Sequence, residues 1–251
     1  MANIAVAGAT GSVGREVVAA LREAGHEPVE ISRATGVDVV TGTGLDRVLS
    51  GVSAVVDVLN TPAQDAAEAV AFFQSTARNL LDAEHRAGVG HHVLLSIVNI
   101  DRFEGSAHYA GKRAQERVVE TGPVPWTIQR ATQFHDFAGM VAGRTRRDGV
   151  AIVPPLLVQP VAITDVATVL VELAAGAPQG RAPDLAGPET EDLVDMARRT
   201  LAARGDPARL TTGWAAPFGV EMAGDVLLPG PAARIATTTF DDWLERQSLA
   251  V

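Results

Sequence analysis

Apolar residues in this chain arrive in short runs separated by stretches of helical period. Ile4, Ala5, Val6 and Ala7 form one unbroken apolar run, the pattern of a strand covered on both faces, as in a parallel sheet. Over residues 13–24 the apolar positions Val17, Val18 and Leu21 return to one helical face, and Gly25 supplies the stop. Strands are predicted at 28–31, 37–40 and 54–59, with a short helix at 45–49. Residues 64–86 contain neither proline nor glycine and keep a helical period, after which Gly88 and Gly90 lead into a strand at 92–96. A further helix at 107–120 ends at Thr121-Gly122-Pro123, and a sixth strand follows at 126–129. Strands alternating with helices of crossover length predict an α/β fold, a doubly wound parallel sheet (Rossmann fold) with right-handed connections.

Beyond Arg130 the pattern loosens and prolines accumulate at Pro154, Pro155, Pro160, Pro178, Pro183 and Pro188, although helices at 163–175 and 190–203 still read clearly. No stretch resembles a linker. A single domain over 1–251 is therefore expected, with a small C-terminal substrate-side lobe drawn mainly from 131–251.

Composition narrows the function classes. With 47% hydrophobic and 20% charged residues, the chain can bury a sizeable core, and it has no apolar run of about 18 residues that could span a membrane. Zero cysteines exclude disulfides, thiolate metal sites and cysteine nucleophiles together. The opening MANIAVAG carries no secretory pattern, so a cytoplasmic location is expected. Twenty-one basic against 30 acidic side chains give a formal net charge of -9, which repels a polyanion and argues against nucleic acid. Arg144, Arg146 and Arg147 lack interleaved aromatics and read as a solvated patch. His91 and His92 are adjacent in a strand and point to opposite faces, so no metal pair is expected there, nor a metal elsewhere.

The first strand runs into Gly8-Ala9-Thr10-Gly11-Ser12-Val13-Gly14 and then into a helix. Glycines in such a turn permit the bend and let backbone N–H groups approach a pyrophosphate, which the helix dipole also favours. The spacing is G-x-x-G-x-x-G rather than the common G-x-G-x-x-G, but the order of strand, turn, helix and strand is the one a dinucleotide site requires. Gly8, Thr10, Gly11, Ser12, Val13 and Gly14 are thus expected to bind the cofactor. Ser32 and Arg33 follow the second strand, where arginine would pair with a 2'-phosphate, so NADP(H) is favoured while NAD(H) stays open through Glu30. Asn60 and Thr61, after the strand predicted at 54–59, would lie beside the cofactor at the same edge.

Taken in order, several segments resemble the atypical short-chain dehydrogenases/reductases, in particular their NmrA-like, NAD(P)H-binding branch. They are the glycine turn at 8–14, Ser96-Ile97-Val98, the helix bearing Tyr109 and Lys112, Trp126 to Phe134, Pro160 to Ala167, and Phe240-Asp241-Asp242-Trp243-Leu244. The resemblance implies that Ser96 hydrogen-bonds a substrate carbonyl, that a tyrosine exchanges its proton, and that Lys112 assists and holds the nicotinamide ribose. An ammonium beside a phenol favours the phenolate and lowers its pKa. The family spacing is tyrosine-x-x-x-lysine, and here His108 stands four before Lys112 while Tyr109 stands three before it. Both spacings return to about the same helix face. Three alternatives stay open: Tyr109 donates the proton, His108 donates it, or neither does.

Gln133, Phe134 and His135 follow the sixth strand and are candidates for a substrate pocket, with Phe137 beside them. Trp243 reads as a packing anchor. The expected activity is an NADP(H)-dependent oxidoreductase passing hydride between nicotinamide and a small carbonyl or quinone acceptor. A non-catalytic NADP(H)-sensing regulator of NmrA-like type, with a protein partner, is the alternative, and an epimerase with a tightly held cofactor is a third. The expected partner is a small-molecule substrate, not nucleic acid or membrane; a homo-oligomer stays open.

Overall fold

In a computed structural model of the chain, residues 1–102, 104, 106–215 and 219–249 are described. The elements follow in the order β1 (Asn3–Ala7), α1 (Ser12–Glu23), β2 (Glu27–Ile31), a 3-10 turn (Arg33–Thr35), α2 (Leu45–Val48), β3 (Ala54–Asp57), α3 (Ala66–Ala87), β4 (His91–Ile97), α4 (Ala107–Glu120) and β5 (Trp126–Ala131). Then come α5 (Phe137–Thr145), β6 (Val150–Val153), β7 (Leu157–Val158), α6 (Ile163–Ala175), β8 (Gly180–Arg181), β9 (Leu185–Ala186), β10 (Glu191–Asp192), α7 (Leu193–Ala203), β11 (Arg209–Thr212), β12 (Arg234–Ile235) and α8 (Phe240–Leu249).

The chain divides into two compact units, Met1–Arg130 with Val166–Pro183, and Ala131–Asp165 with Asp184–Val251. The first holds a parallel sheet in the order β2-β1-β3-β4-β5-β8. Its register sets Ala7 of β1 against Ile31 of β2 on one side and Asp57 of β3 on the other. The chain leaves β1 in one direction and returns on the opposite side as β3, so the carboxyl ends of these two strands flank the switch point, where open α/β sheets bind ligands. This is the α/β, Rossmann-like architecture expected from the alternation.

Long apolar side chains seal the sheet. Ile31, Leu45, Leu49, Val55 and Leu80 form one buried cluster, and Leu81, Leu94, Val119, Val124 and Ile128 another. The two long helices pack tightly: a Cβ on Gly111 of α4 would sit 2.5 Å from the Phe73 ring of α3. Asp65 caps α3 by accepting from Glu68 N–H at 3.0 Å, and Gly88 (φ 74) ends it, as its composition predicts.

The strand expected at 37–40 does not form. Asp38 instead bridges back to Thr43, its N–H reaching the Thr43 carbonyl at 3.0 Å across a turn with Gly42 and Gly44 at positive φ. Val37 and Val39 are buried, which explains the apolar signal. The work of a neighbouring strand passes to a side chain: Asn79 Nδ2 donates to the Val39 and Val40 carbonyls at 2.9 and 2.8 Å. Most other boundaries shift by a residue or two, while β3 ends at Asp57 and α7 begins at Leu193.

The second unit contains two helices that the loosened pattern concealed, α5 and α8, with short strand pairs. Strands β9 and β12 are parallel, as are β6 and β11, whereas β7 and β10 are antiparallel. Among the described residues no helix is long and apolar enough to cross a membrane.

Candidate functional site

The turn after β1 is built around backbone that tolerates no side chains. Gly8 has φ 91, and a Cβ there would lie 3.1 Å from the Val58 carbonyl oxygen beyond β3. A Cβ on Gly14 would collide with the Gly8 carbonyl. Gly11 N–H donates to that same carbonyl at 2.9 Å, and Arg15 Nη1 pins the Thr10 carbonyl at 2.7 Å. Gly11 is the N-cap of α1 and has no side chain to offer, so the first-turn amides receive no capping hydrogen bond from it. Thr10, Gly11 and Ser12 are exposed, while Val13 turns into the core. The cradle fits a diphosphate: open amides, a helix N-terminus and close backbone approach lie at the switch point.

At the end of β2 the Ser32 N–H donates to Thr35 Oγ1 at 3.1 Å in a small capping box, which leaves Arg33 exposed at the start of the 3-10 turn. Glu30, the competing ribose acceptor, pairs with Arg22 at 2.9 Å. Asn60 and Thr61 lie in the loop after β3, where Thr61 N–H donates to Asn60 Oδ1 at 2.8 Å. Thr43 pairs with Thr41 at 2.8 Å.

Helix α4 gathers the expected chemistry. Ser106 caps it, accepting from Tyr109 N–H at 3.4 Å. The Phe73 ring lies 5.0 Å from Lys112 Nζ and makes an edge contact with His108 at 5.7 Å between centroids. His108 and Lys112 therefore share one helix face, as their four-residue spacing requires. Tyr109 is 9% exposed. Lys112 is only 4% exposed and turns inward, donating to Gln115 Oε1 at 2.7 Å. Burial lowers its pKa to about 8, against the opposing attraction of Asp57 and Glu116.

Ser96 is buried at the end of β4. Among the described residues its hydroxyl makes no hydrogen bond within ordinary limits, but it lies close enough to Glu116 to favour that carboxylate. Burial pushes the Glu116 carboxyl up, yet hydrogen bonds from Arg130 at 2.9 and 2.7 Å, together with the charges of Arg130 and Arg181, bring it below its ordinary value.

Four residues with chemistry here were not anticipated as site residues: Asp57, Gln115, His92 and Glu84. The signal was a polar side chain where the apolar period called for a core residue. Asp57 ends the run Ala54-Val55-Val56, and Glu84 falls four residues after Leu80 on the buried face of α3. The adjacent histidines do point apart, His91 Nε2 meeting Thr127 Oγ1 at 2.8 Å while His92 Nδ1 meets Glu84 at 2.9 Å. Among the described residues no group of histidine, aspartate and glutamate could hold a metal ion.

In the second unit Gln133 is buried, and neither atom of its side-chain amide has a hydrogen-bond partner among the described residues. Its backbone carbonyl accepts from Val161 N–H at 2.8 Å. Phe134 bridges to Val161 and is half-buried. His135 is packed: its Nε2 faces the Pro160 carbonyl at 3.1 Å, and its ring contacts Phe240 and Trp243, each 5.8 Å away. Burial lowers its pKa to about 4 despite Pro160 and Asp165. Trp243 stacks on Phe240 at 5.6 Å, as a packing anchor does.

The sequence model of the NAD(P)H-binding family matches residues 8–176, from the first glycine of the turn to the end of α6. The chain belongs to this family. A relative from Streptomyces griseus subsp. griseus, a (4-alkanoyl-5-oxo-2,5-dihydrofuran-3-yl)methyl phosphate reductase, is 34% identical over 249 residues, 92% of this chain and 83% of its own. Among solved structures, a short-chain dehydrogenase/reductase superfamily protein from Agrobacterium tumefaciens with bound NAD aligns at TM-score 0.69 and 20% identity, covering 99% of this chain and 96% of its own. A dTDP-4-dehydrorhamnose reductase from Bacillus anthracis in complex with NADP aligns over the whole of both chains at TM-score 0.73 and 13% identity. These likenesses give the fold; family and relative together make this an NAD(P)H-dependent oxidoreductase.

Proposed function

We propose that the chain passes hydride between NADP(H) and a small carbonyl or quinone acceptor, unsaturated lactones conjugated to carbonyls included. Ser96, Tyr109 or His108, and Lys112 are the residues nearest the chemistry. The observation that carries this reading is Lys112, the chain's sole lysine, desolvated with its pKa lowered to about 8. Bound at the glycine turn, the dinucleotide supplies the hydride. A charged ammonium in a low-dielectric setting stabilises the oxygen on which negative charge then develops.

Quinones and doubly activated alkenes suit this chain better than plain ketones. Their reduced forms spread the charge, so protonation depends less on a well-aimed enzymic acid, and here histidine stands where the family's tyrosine would. The Streptomyces relative is named for a substrate whose unsaturated ring bears both an oxo and an alkanoyl group, which supports the same class. Exposed Arg33, with Glu30 engaged by Arg22, supports NADP(H) over NAD(H).

The test follows NADPH oxidation by purified protein across quinones, acyl-substituted unsaturated lactones and simple ketones. Faster turnover of the first two groups is expected, and oxidation with none of them would overturn the reading. NADPH binding by calorimetry without any turnover would support the sensor alternative.

A further inference from the structure

Behind the inward face of α4 lies a line of polar groups, all within the first unit, joined by hydrogen bonds except between Asp57 and His92. Lys112 Nζ donates to Gln115 Oε1 at 2.7 Å, and the nitrogen of the same amide donates to Asp57 Oδ2 at 2.8 Å. That carboxylate oxygen lies 4.0 Å from His92 Nε2. His92 Nδ1 in turn meets both oxygens of Glu84, at 2.9 and 3.0 Å. The side chains of Asp57, His92 and Glu84 are wholly buried. Two basic and two acidic side chains thus alternate through the interior, drawn from α3, β3, β4 and α4.

We propose that Asp57 is the positioning residue of the site: through Gln115 it orients and holds the Lys112 ammonium, and the Glu84–His92 pair sets how much of Asp57's charge remains for that task. The carboxylate itself is fixed, since Oδ1 accepts from Leu59 N–H at 3.0 Å where β3 gives way to the loop bearing Asn60 and Thr61. Gln115 cannot flip without cost, because its carbonyl faces an ammonium and its amino group a carboxylate. A buried ammonium without a counter-charge is strongly disfavoured, and Asp57 reduces that penalty across one oriented dipole.

His92 draws on the same carboxylate from the other side. Burial opposes its charge, but Glu84 first and Asp57 next raise its pKa above the ordinary value. The groups that act on Lys112 are therefore Asp57 from β3, Glu116 on α4 itself and His92 from β4 beyond Asp57, with the Phe73 ring as a neutral face shared with His108; Glu84 from α3 acts on His92 behind them.

The functional meaning of the proposal rests on Lys112 serving the dinucleotide and acceptor, so its test begins with a measurement that needs neither. Because Lys112 is the only lysine, protein grown on carbon-13-labelled lysine has one labelled side chain, whose titration is read by NMR without cofactor. Asp57→Asn is expected to move the midpoint down by about 1 to 3 pH units. Glu84→Leu combined with His92→Phe is expected to move it up, in a protein that still folds, because exchanging a buried ion pair for apolar groups is neutral or stabilising. With an active acceptor, Asp57→Asn is expected to lower kcat/KM at pH 7 about tenfold, with the alkaline limb of the pH profile displaced as far as the NMR midpoint. Midpoints that stay put, or move the same way in both variants, would overturn the proposal. If Asp57→Asn fails to fold, a midpoint that does not rise in the double variant overturns it alone. The expected shifts in a protein that turns over no acceptor would uphold the positioning of Lys112 and remove the oxidoreductase reading instead.

Discussion

The α-carbon of Gly14 is held so close to the Gly8 carbonyl that a single added methyl group would overlap it. The first turn of α1 and the end of β1 are thereby locked together, and the amides that line the bend keep their direction. Gly14→Ala is expected to weaken NADP(H) binding more than tenfold and to cost about 1–3 kcal/mol of stability through overpacking. Calorimetric titration and thermal unfolding of the same preparation measure both.

Arg33 stands exposed after β2 with its nearest acidic competitor, Glu30, paired to Arg22. Arg33→Ala is expected to reduce the preference for NADPH over NADH by about ten- to a hundredfold, the worth of a charge-assisted hydrogen bond to a phosphate. Thermal stability is expected to stay within about 0.5 kcal/mol, as for other exposed sites. The ratio of kcat/KM for the two reduced dinucleotides is the deciding measurement.

Activity and stability should respond oppositely to alkali at Lys112. Its folded pKa of about 8 lies below the unfolded value, so between these two limits the unfolded chain holds a proton that the folded chain has released. The lysine's contribution to unfolding free energy therefore rises with pH from about 8 to about 10, while kcat/KM falls as the ammonium is lost. Comparing denaturant unfolding of the parent and Lys112→Met across this range isolates the effect; parallel curves would contradict it.

His135 gives the corresponding acid-side expectation. Burial holds its folded pKa at about 4, below an unfolded value of about 6.5. As pH falls through that window the unfolded chain takes up the proton first, so the second unit loses stability with acidification. His135→Phe is expected to flatten this slope in thermal unfolding measured from pH 7 to pH 4.

Much of the first unit could be read along the chain because its signals are local. Glycine and an apolar run mark β1 and its turn, an aspartate cap and a glycine stop bound α3, and the boundaries of α4 and α6 agree with their apolar period. The segment at 37–40 misled because buried valines look alike whether a strand or an asparagine side chain satisfies their backbone. Helix α5 was hidden by two internal glycines, and α8 by its short, mixed composition.

Determined by the chain alone were the residue types and spacings: a glycine turn between strand and helix, a sole lysine four residues after a histidine, and enough apolar surface to build a parallel sheet. Only the tertiary structure decided what those residues face. Asp57 and Gln115 are 58 positions apart, and their side chains meet at 2.8 Å because α4 packs against α3 and β4, the strand next to β3. The direction of Lys112, the raised pKa of His92 and the burial of Glu84 all follow from that packing, since electrostatic interactions depend on distance and desolvation, and separation along the chain encodes neither.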